Sequence, residues 1–177
     1  VYLEDWSNGI KNSKEYVFSL LDFLSKSSVK RVMLPDTLGI LTPKNTANYI
    51  NEITSKYPKI HFDFHGHNDY DLGVSNTLEA VKNGIKGIHL TVNGMGERAG
   101  NVALESTVAA INDFVPNIPS LELNEDGLNI LLDIYSEVVQ EIKKPLIINP
   151  KQCTINKDFF LSILQKLSEI EHESLIR

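Results

Sequence analysis

Short apolar runs alternate with amphipathic segments four times over the first 115 residues, joined by brief connections. That alternation predicts repeated βα units, and strands linked by crossover helices lie parallel in one sheet. Val1–Asp5 is the first expected strand. Ser13 then caps an expected helix to about Lys26, with Tyr16, Val17, Leu20, Leu21 and Leu24 on its apolar face. Lys30–Pro35 is the second strand, and Thr42-Pro43 opens the next helix, to about Lys56, as cap and first helical residue. Ile60–His65 is the third strand, followed by a helix from about Ser75 to Lys82 that stops at Gly84. Lys86–Val92 is the fourth, followed by a helix from about Ala103 to Phe114. Closed parallel barrels use about 30 residues per unit. Four units therefore predict an α/β fold amounting to half of an eight-unit barrel.

The pattern changes at Pro116. A Pro/Asn/Ser linker leads to a helix near Glu125–Glu141, a short apolar Leu146–Ile148 and a last helix near Lys157–Glu171. Residues 1–115 are thus read as half of a catalytic barrel and 116–177 as a helical linker or tail. The chain opens at Val1, already inside an expected strand, which reads as a fragment of a longer protein. A net charge of −6, with no basic stripe interleaved with aromatics, argues against a nucleic-acid partner. No apolar run approaches the roughly 18 residues of a membrane span, and no signal peptide is visible. The single cysteine, Cys153, suits a reducing, cytoplasmic setting.

The noteworthy polar residues fall at the carboxyl ends of the expected strands, the rim where barrels of this kind carry their active sites. His65 and His67, two apart, point to the same side of a strand. His61 and Asp63 share that face, while Phe62 and Phe64 take the other, which suits helices. A histidine pair at a strand end, followed by Asn68-Asp69, reads as a pair of metal ligands. His61 lies deeper and His89 sits mid-strand, so both read as structural, and His172 as solvated. The loop Gly94–Asn101 places its third glycine one residue late for a phosphate-binding G-x-G-x-x-G, and Glu97 would repel a pyrophosphate. It reads instead as a tight turn, with Glu97 and Arg98 paired locally, that positions Asn101. Glu4 stands at the rim of the first strand beside Tyr2. Thr37, in Asp36-Thr37-Leu38-Gly39, either caps the following turn or donates to a substrate carboxylate. An amidohydrolase barrel also uses His-x-His, but it wants that pair on its first strand with further ligands downstream.

Four motifs occur in order: Tyr2-Leu3-Glu4-Asp5-Trp6-Ser7-Asn8-Gly9, Leu34-Pro35-Asp36-Thr37-Leu38-Gly39, His65-Gly66-His67-Asn68-Asp69-Tyr70-Asp71-Leu72, and Asn93 through Asn101. Over residues 1–115 the chain resembles the acetyl-CoA condensing barrels: 2-isopropylmalate synthase, citramalate synthase and homocitrate synthase. The resemblance implies strands five to eight, the C-terminal half, of a TIM (β/α)8 barrel. It implies a divalent metal held by His65, His67 and Asn101 together with a strand-one Asp that lies outside this chain. Mixed nitrogen and oxygen ligation admits Zn, Mn, Mg or Co. By the same resemblance Glu4 and Thr37 match active-site positions, and Tyr2 matches a substrate-pocket tyrosine of the citramalate synthase branch. The implied partners are acetyl-CoA and a 2-oxo acid, in a homodimer of the full-length protein. The implied reaction serves leucine or isoleucine biosynthesis. An HMG-CoA lyase-like retro-condensation and a catalytically inactive fragment are the competing readings. The chain departs from the family after Asn149-Pro150, where Lys151-Gln152-Cys153-Thr154 replaces a Gly-rich segment carrying a functional histidine.

Overall fold

Three strands carry the parallel pairing: β1 (Arg31–Asp36), β2 (His61–Gly66) and β3 (Gly87–His89), ordered β1-β2-β3. The computed structural model describes residues 1–143, with side-chain surroundings through 137. The expected apolar run Leu146–Ile148, the expected helix Lys157–Glu171, His172 and Cys153 lie outside the described residues. The chain divides into two compact units, Val1–Ser120 and Leu121–Arg177. The first is α/β, a partial barrel.

The register sets Leu34 beside Phe64 and Pro35 beside His65 on one side, and His65 beside His89 on the other. Side chains alternate along a strand, so Val32, Leu34, Phe62 and Phe64 turn to one face, where they are almost wholly buried. They share a core with Leu21 and Leu24 of α2 (Lys14–Ser25) and with Ile50 and Ile53 of α3 (Pro43–Lys56). Burying a side chain of that size stabilises by about 1.5–3 kcal/mol. The other face is polar. Arg31 forks onto the Asp63 carboxylate at 2.9 and 2.8 Å, and His61 Nε2 lies 3.0 Å from the same group. Burial would raise the Asp63 pKa, but Arg31 and His61 outweigh it and hold the carboxyl below its usual range. His61 therefore partners the buried Asp63 carboxylate beside the more exposed Arg31, at the start of β2 and away from the histidine pair.

The first expected strand is corrected. Val1–Asp5 shrinks to a parallel bridge between Tyr2 and Met33, with the Leu3 N–H donating to the Met33 carbonyl at 3.1 Å. Asp5 ends it by entering the left-handed region at φ 55°, and α1 (Trp6–Asn12) follows directly. No periodic signal announced this short helix. Packing makes it, since Trp6 and Ile10, one turn apart, are both deep in the core. The fourth strand is likewise cut from Lys86–Val92 to three residues, because Thr91 leaves the sheet to bridge Ala103 and a single 3-10 turn, Val92–Gly94, takes over. α4 (Gly73–Lys82) starts two residues before Ser75, and α5 (Leu104–Phe114) runs as expected. α6 (Glu125–Lys143) lies in the second unit. Among the described residues no helix is long and apolar enough to cross a membrane.

Candidate functional site

The polar ends of the strands meet at one open cleft of about 430 Å³, lined by Tyr2, Glu4, Thr37, His65, His67, Gly96, Glu97 and Asn101. The six candidate site residues Tyr2, Glu4, Thr37, His65, His67 and Asn101 all stand on it. Strand alternation accounts for His65 and His67, and the residue between them accounts for Asn101. A Cβ on Gly66 would lie 2.9 Å from Val102 Cγ2, too close for any side chain, so glycine lets residues 101 and 102 close over the strand end. There His67 and Asn101 form an antiparallel bridge, the Asn68 N–H donates to the Gly100 carbonyl at 3.0 Å, and the Asn101 N–H to the Gly94 carbonyl at 2.9 Å. A residue 34 positions later in the chain is thereby fixed beside the histidine pair.

The histidine rings stand edge-to-face with centroids 5.0 Å apart, and the Tyr2 ring lies 6.2 Å from His65. His89, expected mid-strand, is instead the last residue of β3, exposed on the same face with its ring 5.7 Å from His65. Burial, then the neighbouring His67 and His89, push the His65 pKa below its ordinary value, against a smaller upward pull from Glu4. His65 is therefore neutral at physiological pH, the form that binds metal. Burial and the Glu4 charge push the Tyr2 phenol up, so it too stays neutral.

His65 Nδ1, His67 Nδ1 and Asn101 Oδ1 are all buried without a hydrogen-bond partner. Native structures rarely leave such atoms unsatisfied, because each costs about 1–3 kcal/mol. Two imidazole nitrogens and one amide oxygen, on three residues that line one cleft, make a donor set whose chemistry fits a divalent ion of the Zn, Mn or Co kind. Among the described residues no three His, Cys, Asp or Glu side chains group to hold a metal, so any ion here would take the amide and a further ligand.

Thr37 does not cap the turn that follows it. Its hydroxyl donates to Glu4 Oε1 at 2.8 Å and accepts from the Asp5 N–H at 3.0 Å. The turn after β1 is capped instead by Asp36, whose carboxylate accepts from the Ile40 and Leu41 N–H groups. Glu97 and Arg98 do pair locally, at 3.7 Å with Glu97 largely solvated, but the stronger partner of Arg98 is Asp69, onto which it forks at 2.7 and 2.8 Å. The Arg98 hydrogen bond, foremost, holds the Asp69 carboxyl below the usual range. The partnership spans 29 residues, so no local spacing could have announced it. Glu97 was also missed as a lining residue; its only signal was its place in the loop that carries Asn101.

Comparison with known proteins adds a family. The HMGL-like family model matches residues 7–123. The Xrn1 helical domain model matches residues 109–174, less than half of the chain. A 2-isopropylmalate synthase of Gloeothece citriformis is 41% identical over 105 residues, covering 58% of this chain and 20% of that protein. Another, from Thermosynechococcus vestitus, is 33% identical over 162 residues, covering 85% of this chain and 30% of that protein. The chain thus spans roughly a fifth to a third of the length of these curated relatives. In fold it is similar to an HMG-CoA lyase from Acenitobacter baumannii, solved with coenzyme A and 3-methylmalate. The TM-score is 0.58 at 23% identity, over 73% of this chain and 43% of that one.

Proposed function

The chain belongs to the HMGL-like family, and on that premise we propose that residues 1–115 form strands five to eight of a barrel that condenses acetyl-CoA with a 2-oxo acid. The substrate is 2-oxoisovalerate or pyruvate and the product 2-isopropylmalate or citramalate, in a soluble, cytoplasmic homodimer. The reading rests on one observation: His65 Nδ1, His67 Nδ1 and Asn101 Oδ1 are buried and unpartnered on the cleft that also holds Tyr2, Glu4 and Thr37.

A divalent metal held by His65, His67 and Asn101 would supply Lewis acidity to the keto and carboxylate oxygens of the 2-oxo acid. The remaining roles belong to the chain. His65 stays neutral and free to ligate because burial and its neighbours oppose protonation. Glu4, held by the Thr37 hydroxyl until substrate enters, orients the substrate or relays the proton lost when the acetyl methyl of acetyl-CoA becomes a nucleophilic enolate. Thr37 also meets the substrate carboxylate, exchanging its bond to Glu4 for one to the substrate. The enolate carbon bonds to the keto carbon, the keto oxygen gains a proton, and water cleaves the thioester to release CoA. Tyr2 narrows the pocket and favours pyruvate, which lacks two carbons of 2-oxoisovalerate, each methylene being worth only about 1–3 kcal/mol.

The test is His65→Ala in the intact protein, read as metal content and CoA release. Loss of an outer metal partner alone typically costs about 10–100-fold in affinity or activity, so loss of a direct ligand is expected to cost at least that. Unchanged metal content and turnover would remove the assignment. Turnover with 2-oxoisovalerate against pyruvate separates the two products. Cleavage of a 3-hydroxyacyl-CoA instead would support the lyase reading that the fold similarity to an HMG-CoA lyase favours.

A further inference from the structure

Arg98 joins three segments that are far apart in sequence. Its Nε and Nη2 donate to the two oxygens of Asp69 at 2.7 and 2.8 Å, and Nη2 also donates to the Thr37 carbonyl at 2.6 Å. Thr37 ends the β1 segment, Asp69 follows β2, and Arg98 belongs to the loop after β3. The residues it grips lead straight into the cleft. Thr37 carries the hydroxyl that holds Glu4, Asp69 is two residues beyond His67, and Arg98 is three before Asn101.

The approach of these segments is close. Gly39 sits at φ 59°, and a Cβ there would come within 2.9 Å of Asp69 Oδ2 and 3.1 Å of the His67 carbonyl. The turn after β1 therefore rests directly on the segment carrying the metal-ligand candidate His67. Arg98 itself is held at φ 57°, a region L residues seldom occupy unaided. A guanidinium suits this position because its planar fork engages a carboxylate at two points and leaves a donor for a carbonyl. A lysine ammonium presents no such fork.

We propose that Arg98 is a positioning residue, which with Asp69 clamps the Gly94–Asn101 loop onto the ends of β1 and β2 and so sets where Asn101 and Thr37 stand in the cleft. Its consequence for metal binding rests on the condensing-site reading; the clamp itself does not. Arg98 does not line the cleft and acts through the residues it holds.

The test uses the intact protein as wild type, Arg98→Met, Arg98→Lys, Asp69→Asn and His65→Ala. Co²⁺ affinity is read from its visible absorption, and amide hydrogen exchange is read over 67–101 in metal-free protein. Arg98→Met, Arg98→Lys and Asp69→Asn are each expected to weaken Co²⁺ binding by about 10–100-fold, as lost outer partners do. They should also speed exchange at the Asn68 and Asn101 amides, which bond to the Gly100 and Gly94 carbonyls. Arg98→Met combined with Asp69→Asn should be no worse than Arg98→Met alone, since that variant already removes the Asp69 contact along with the bond to the Thr37 carbonyl. Unchanged exchange at Asn68 and Asn101 in Arg98→Met overturns the clamp. Faster exchange with Co²⁺ affinity unaltered overturns the positioning role, leaving only a structural contact. Should His65→Ala leave Co²⁺ affinity intact, the metal reading fails instead, and exchange alone then decides the clamp.

Discussion

His65 shows how one residue acquires its chemistry from burial and neighbours. Burial disfavours its charged form, and the rings of His67 and His89 that flank it add to the effect. A histidine whose folded pKa lies below its unfolded value of about 6.5 leaves the folded protein with fewer bound protons. Stability is then unaffected well above pH 6.5, falls as pH drops below it, and levels off beneath the folded pKa. His65→Asn removes this contribution. The gap in melting temperature between wild type and His65→Asn is expected to move against the wild type from pH 7.5 to pH 5. Parallel curves over that range would mean that His65 is not desolvated. The same residue was readable from sequence, because a period of two on a strand assigns faces without further information. Asp69 and Arg98 were not, because their partnership forms only when loops 29 residues apart are brought together.

At the scale of elements, two similar cap signals had different outcomes. Thr42 before Pro43 caps α3, its hydroxyl oxygen accepting from the Asn45 N–H at 3.2 Å. Ser13 precedes α2 at φ −144° and makes no side-chain cap bond. Thr42→Ala is therefore expected to cost about 1 kcal/mol, whereas Ser13→Ala should stay within roughly 0.5 kcal/mol. Urea unfolding midpoints at unchanged slope would show the contrast, and equal shifts would contradict it. Proline made the difference legible, since it fixes the first helical residue of α3, while the chain enters α2 from the C-terminal end of α1. α1 had no such legibility. Its sequence WSNGIKN is a poor helix former, and the burial of Trp6 and Ile10 decides it.

For the whole molecule, the sheet of three strands and one bridge presents the cleft on an open face, with Tyr2 about half exposed at 47%. In a closed barrel the opposite wall would desolvate that face and supply the remaining metal ligand. The 177-residue chain purified by itself is therefore expected to release no CoA from acetyl-CoA with either 2-oxo acid. Thiol release above a metal-only blank would overturn the half-barrel reading. The alternation of strand and helix from Lys14 to Phe114, the parallel sheet and the face shared by His65 and His67 were legible in the sequence alone, through periodicities of 2 and 3.6 that are local properties of a chain. Tertiary structure alone decided that the first strand stops at a bridge, that Thr37 holds Glu4, and that Arg98 reaches Asp69. Each of these depends on which backbone groups and side chains meet across more than 25 residues of chain, and no local pattern encodes that.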